Sequence, residues 1–245
     1  MKALVTFLVF LCALIFVVPA QAQHYRMGYG TGYGSLSVPV GDFGDDTGQK
    51  AGLADIGLGM GLEYSQKLGY PGWTAVFSAF LIANPLDEDE LPRGAGQLCY
   101  DDTCYDIDIH HVDAGSYLNV PLLAGLRYRD MRSPYGFFIT GLVGLNLMQH
   151  PEVDWDIDFC EASEDCYRAR IESTYDLATS LAFGAEVGAV IQHRTVLSVR
   201  YLWLGEPNVE GTDNYYYRHD GLFRSERYHF DAPTSMLLFN IGYRF

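Results

Sequence analysis

Lysine is nearly missing from this chain. Lys2, Lys50 and Lys67 are the only three in 245 residues, and arginine supplies the rest of the 16 basic side chains. Against 31 acidic residues this leaves a formal charge of −15. A surface so poor in positive charge cannot neutralise phosphodiesters, which excludes nucleic acid as a partner. Long apolar runs are scarce too. After the stretch from Ala3 to Val18, no window offers the roughly 18 uninterrupted apolar residues of a membrane-crossing helix. Cysteine is sparse, with five in all. His110, His111 and His193 have no serine partner at a recognisable spacing, so the chain lacks a nucleophile with its base.

What is present begins with the first 22 residues. Met1-Lys2 is a short basic segment, the apolar run follows, and Pro19-Ala-Gln-Ala22 supplies a small-x-small cleavage site. This is the pattern of an export signal peptide, residues 1–22, leaving 23–245 as one domain. Cys12 lies inside the apolar run and is not a lipoprotein cysteine. The chain is 49% apolar, with 26 glycines, 18 tyrosines and 14 phenylalanines. Abundant glycine and aromatics without helical periodicity suit a barrel with crowded corners and aromatic girdles.

Read for period-two alternation, residues 23–245 contain eight strands. They run over Tyr25–Val38, Leu53–Gln66, Trp73–Asn84, Val112–Arg129, Tyr135–Leu147, Thr174–Ile191, Thr195–Gly205 and Thr234–Phe245. In the second, Ile56, Leu58, Met60, Leu62 and Tyr64 alternate with Asp55, Gly57, Gly59, Gly61 and Glu63. The third is apolar on both faces, and its register is ambiguous. The connections Lys67–Gly72, Asp130–Pro134 and Gln192–Arg194 are short. Val40–Gly52, Pro85–His111, Met148–Ser173 and Glu206–Pro233 are longer. Apolar-out and small-or-polar-in strands, with long and short connections on opposite sides, predict an all-β fold. The expected form is an eight-stranded antiparallel up-and-down transmembrane β-barrel. An even strand count puts both termini on one side. Tyr64, Trp73, Tyr128, Tyr135, Tyr243 and Phe245 all fall beside the short turns, where an interfacial girdle belongs.

The last strand carries Phe239, Ile241, Tyr243 and Phe245 on one face and ends on a bare aromatic. Together with Tyr117-Leu-Asn-Val-Pro-Leu-Leu-Ala-Gly-Leu-Arg-Tyr128 and Val199-Arg-Tyr-Leu-Trp-Leu-Gly205, it resembles the small OmpA/OmpX-like and PorT-like outer-membrane barrels. That resemblance implies the outer membrane of a Gram-negative-type bacterium, with both termini periplasmic. It implies outer-membrane lipid, lipopolysaccharide and the barrel-assembly machinery as partners. It also makes Phe239, Ile241, Tyr243 and Phe245 the assembly signal.

Several constellations could carry chemistry. Cys99 and Cys104 lie in the second long connection, Cys160 and Cys166 in the third. In an oxidising compartment they are expected to be disulfides, with short separation favouring local pairs over the other two connectivities; a four-thiol zinc site is the competing reading. The long connections are acidic, including Asp87, Glu88, Asp106, Asp108, Asp154, Asp156 and Asp158. Asp154-x-Asp-x-Asp158 starts like a calcium loop, but Phe159 stands where that loop needs glycine. A solvated acidic surface is the expectation, and weak divalent-cation binding is its functional alternative. For the interior, the Gln192-His-Arg194 turn sets Ile191 opposite Thr195 and hence Glu186 opposite Arg200. Glu63, Arg127, Arg129 and Arg244 share the inward parity, so these six predict a salt-bridged plug. A narrow ion or solute channel is the alternative. Arg200-Tyr201 also faintly resembles the lipid A deacylase family, but Leu202, Trp203 and Leu204 occupy the positions of its His-x-Ser pair. The expectation is therefore a non-enzymatic barrel without a cofactor, displaying acidic, disulfide-stapled loops.

Overall fold

The computed structural model describes residues 28–45, 52–88, 91, 94–100, 103–130, 136–160, 166–217 and 223–245. Residues 1–22, read above as an export signal, lie outside them, as do Tyr25, Tyr135 and several loop acids (Asp89, Glu90, Asp101, Asp102, Glu161, Glu164, Asp165). The strands are β1 (Gly28–Pro39), β2 (Gly57–Lys67), β3 (Trp73–Pro85), β4 (Gly94–Tyr100), β5 (Thr103–Ala114), β6 (Ser116–Arg129) and β7 (Gly136–Gln149). They continue with β8 (Val153–Cys160), β9 (Cys166–Tyr175), β10 (Ala178–Ile191), β11 (Thr195–Trp203), β12 (Asn208–Tyr217), β13 (Phe223–Asp231) and β14 (Ser235–Arg244).

Eight of them close a barrel in the order β1-β14-β11-β10-β7-β6-β3-β2, every pairing antiparallel. Closure leaves no unpaired edge, the condition for a sheet surrounded by lipid. The β1–β14 seam is finished by Phe245. Its N–H donates to Gly30 O at 3.0 Å, and its carbonyl accepts from Gly30 N–H at 3.2 Å. The Phe245 ring lies against Gly30, where an added Cβ would sit 2.5 Å from it. The bare backbone of Gly30 leaves the terminal ring the space of a side chain.

Alternation decides which residues face lipid. Leu58, Met60, Phe77, Phe137, Ile139, Leu181, Val187 and Ile241 are all exposed, Leu58 to 71% and Met60 to 65%. Such a belt has no place on a protein surrounded by water. The register of β3 also becomes definite. Thr74, Val76, Ser78, Phe80, Ile82 and Asn84 point inward and are buried, while Trp73 and Phe77 point outward. In β1 the tyrosines turn inward and the glycines outward: Tyr33 is 5% exposed inside the core.

Two of the expected strands are broken. Val112–Arg129 is interrupted at Gly115, and Thr174–Ile191 at Asp176–Leu177. At each break the chain leaves the barrel for a second sheet. Three of the four long connections are not loops but hairpins, β4–β5, β8–β9 and β12–β13. They pair side by side into a six-stranded sheet, β13-β12-β9-β8-β5-β4. Tyr175, within the expected strand Thr174–Ile191, belongs to this sheet instead. The fourth connection, between β1 and β2, adds no strand to it among the described residues; it makes a 3-10 turn at Gly41–Phe43 that buries Phe43.

Candidate functional site: a charge-closed lumen beneath a hairpin sheet

The lumen is filled in layers. At its middle, Glu63 of β2, Arg127 of β6, Glu186 of β10 and Arg200 of β11 converge, none more than 3% exposed. Arg127 grips Glu63 with both Nη groups, at 2.6 and 2.9 Å, and Glu186 at 2.9 Å. Arg200 Nη2 reaches Glu63 and Glu186 at 3.1 Å each. Two carboxylates and two guanidinium groups sum to zero, and each charge touches two of opposite sign. Short polar side chains complete the network. Arg127 Nε donates to Thr140 Oγ1 at 2.9 Å, Ser198 donates to Glu186 at 2.7 Å, and Tyr33 donates to Glu63 at 3.3 Å. Aromatic faces cover the guanidinium groups: Phe138 lies 4.2 Å from Arg127, and Phe80 lies 4.5 Å from Arg200. Such a network holds charge in a dry interior only because nearly every member is paired.

Above the quartet lies a layer of amides and hydroxyls. Asn146 donates to Asn119 at 2.9 Å, Ser37 to Asn84 at 3.0 Å, and Ser35 to Asn240 at 2.5 Å. Higher still, rings cap the mouth. Phe43 meets Tyr117 edge-on at 5.0 Å, Tyr117 meets His150 at 4.7 Å, and His150 meets Tyr175 at 4.3 Å and Phe230 at 5.3 Å. Burial among these rings pushes the His150 imidazole down to about 4, so it is uncharged at neutral pH.

Of the six residues expected in the interior network, four form the quartet. Glu186 stands opposite Arg200, and Ile191 opposite Thr195. Arg129 and Arg244 do not join. They sit at the short-turn end, where Arg244 stacks on Tyr29 at 3.9 Å. The reason is position: Arg129 lies two residues nearer the turn than Arg127, and Arg244 is the last residue of its strand. Sequence reading missed Tyr33, Thr140 and Ser198, although each is a polar residue at inward parity. Phe239, Ile241, Tyr243 and Phe245 are all exposed on the outer face.

The hairpin sheet is amphipathic. Ile109, Trp155, Ile157, Ala169 and Ile171 pack on one side, with Ile157 and Ala169 buried. The other carries Asp108, Asp113, Asp154, Asp156, Asp158 and Glu172. Like charges stand directly opposite, Asp108 to Asp158 and Asp113 to Asp154, which disfavours pairing. Arginines on β9 offset this: Arg170 bridges Asp154 at 2.9 Å and Glu172 at 3.2 Å, and Arg168 lies 3.6 Å from Asp156. His110 contacts Asp158 at 2.8 Å. Asp154-x-Asp-x-Asp158 is thus the polar face of β8, not a calcium loop. Among the described residues, no three His, Cys, Asp or Glu side chains gather as a metal-binding group. The backbone register sets Cys99 opposite Cys104 and Cys160 opposite Cys166.

A closed eight-stranded antiparallel barrel with a filled lumen and a continuous outward apolar belt defines the class: a small outer-membrane β-barrel protein. No helix among the described residues is long and apolar enough to cross a membrane, and the crossing is made by strands. No family model and no curated protein matches the chain. Among solved structures it is similar to Neisserial surface protein A, at 10% identity over 89% of this chain and 95% of that one, TM-score 0.45. It is also similar to the outer membrane protein OprG from Pseudomonas aeruginosa, at 14% identity over 89% and 96%, TM-score 0.42. A major outer membrane protein from Thermus thermophilus matches at 10% identity over 89% and 99%, TM-score 0.45.

Proposed function

We propose that this protein is a non-enzymatic surface-display barrel, with both termini periplasmic and the hairpin sheet outside the cell. The observation that carries this reading is the six-stranded sheet built from three long hairpins on a plugged barrel. The quartet, the amide layer and the ring cap fill the lumen, so the barrel serves as an anchor. The charged face of the sheet is the working surface. Its carboxylates, bridged by divalent cations, contact the phosphates of lipopolysaccharide. Disulfides Cys99–Cys104 and Cys160–Cys166 staple the hairpin tips; their opposed registers support this pairing. Lipopolysaccharide retention on the purified protein tests the surface reading. Magnesium should promote it, and Asp154→Asn with Asp156→Asn and Asp158→Asn should abolish the magnesium-dependent part. Equal retention in EDTA, or in the triple variant, refutes it.

A narrow channel is the second reading. It is favoured by one observation, that the barrel's centre is ionic rather than aliphatic, since paired charges can exchange partners where packed leucines cannot.

A further inference from the structure

The charge quartet leaves two inward arginines over. Arg129 ends β6 and Arg244 ends β14, and both reach the same rim. The Arg129 N–H donates to Gly72 O at 2.8 Å, and the Arg244 N–H donates to Arg194 O at 2.8 Å. In the barrel order β6 and β14 stand four strands apart in either direction, on opposite walls. The interior of an eight-stranded barrel is only as wide as the side chains that fill it. The two guanidinium groups therefore share one narrow mouth, each lying on the strand beside its own. Arg244 is braced on Tyr29 at 3.9 Å. Arg129 lies against the bare backbone of Gly136, where a Cβ would strike its guanidinium.

Neither arginine forms an ion pair with a carboxylate among the described residues. Each Nε is buried without a hydrogen-bond partner. Thr31, directly opposite Arg244 on β1, is 1% exposed, and its hydroxyl is also without a partner. Two like charges sharing a confined mouth repel, and buried donors without acceptors are costly. In the middle of the same lumen, two glutamates balance the charge of Arg127 and Arg200, although Arg200 Nε is also without a partner. At the rim no side chain does so among the described residues.

We propose that this mouth binds a dianionic tetrahedral oxyanion of the phosphate class, held between Arg129 and Arg244 with the Thr31 hydroxyl beside it. Charge selects the ligand: two guanidinium groups match two negative charges, and a monocarboxylate leaves one unbalanced. Shape agrees, because a tetrahedral ion presents oxygens to both walls while a planar carboxylate presents its pair to one. Guanidinium forks suit phosphate geometry. The phosphate can belong to a soluble ion or monoester, or to a lipid phosphomonoester at the rim.

The test uses the full folded barrel in octyl glucoside, which carries no phosphate. Inorganic phosphate is titrated at constant ionic strength and followed by calorimetry, with acetate as comparison. One saturable phosphate site is expected, with acetate at least tenfold weaker. Arg129→Gln and Arg244→Gln should each weaken phosphate binding tenfold or more. Arg194→Gln, an exposed cation at the same rim, should not change it. Thr31→Val keeps every charge and should weaken binding several-fold, which covers the case of an arginine variant that fails to refold. Absence of a saturable phosphate site overturns the proposal. So does an equal loss in Arg194→Gln, which would mark general attraction to a basic rim. Repeating the titration in nanodiscs of phosphatidylcholine with phosphatidic acid, against phosphatidylcholine alone, separates the sources: weaker phosphate binding with phosphatidic acid identifies the lipid monoester as occupant, and unchanged binding identifies a soluble ion.

Discussion

Arg200 touches both carboxylates of the lumen, so removing it strands two negative charges that Arg127 alone must hold. A buried ion network broken on one side typically loses about 3–5 kcal/mol. Arg200→Ala and Glu186→Ala should each destabilise the refolded barrel by that order in urea titrations. The double variant should cost clearly less than the sum of the two. Additive losses would mean that the two residues do not act through each other. His150 makes a pH-dependent contribution. Its folded value of about 4 lies below the ordinary 6.5. The unfolded state therefore binds the proton first as pH falls. The stability this residue confers is complete above pH 6.5 and is lost as pH falls from there through 4, on the order of 3 kcal/mol in all. Hydrogen exchange at the ring cap should accelerate across that window, and His150→Phe should flatten the response. An unchanged profile in that variant would place the acid sensitivity elsewhere.

At the scale of elements, the barrel strands were legible because each has one face in lipid, which forces strict alternation. Expected and observed limits of the seventh strand differ by two residues at one end only, Thr195–Gly205 against Thr195–Trp203. One hairpin strand, β8, was equally periodic. Val153-Asp-Trp-Asp-Ile-Asp-Phe159 alternates perfectly, yet its density of aspartate reads as a solvated loop. Like-charged strands are poor pairing partners in isolation, and the arginines that compensate lie on β9, a separate segment of sequence. Two predictions belong here. If Phe245 closes the seam over Gly30 and serves assembly, deleting it should leave little heat-modifiable protein in the outer membrane. Wild-type levels of the folded band would end that reading. The opposed cysteine registers predict two local disulfides. Intact-mass alkylation of freshly isolated membranes should detect no free thiol at these four positions. Reduction should make the hairpin tips protease-sensitive while the barrel persists. Four free thiols would refute the pairing.

For the whole molecule, the lumen holds two packed layers, the quartet and the ring cap. Wild-type protein in planar bilayers should therefore pass no steady current. Arg200→Ala should also stay closed, because Phe43, Tyr117 and His150 still cover the mouth. A steady conductance in the single variant would make the quartet a gate and move the channel reading ahead.

The sequence by itself determined the class, the strand count of the barrel, the lipid face of its alternating strands but not of β3, and the Glu186–Arg200 register. All of these follow from local rules: a period of two, a three-residue turn and the cost of polar groups in hydrocarbon. Tertiary structure alone decided which inward charges meet. Glu63, Arg127, Glu186 and Arg200 come from four strands, and strand tilt around the closed barrel brings them to one height while leaving Arg129 and Arg244 at the rim. It also decided that three acidic segments become one sheet. That sheet forms because the barrel holds the roots of its hairpins side by side, lowering the entropy cost of pairing segments distant in sequence.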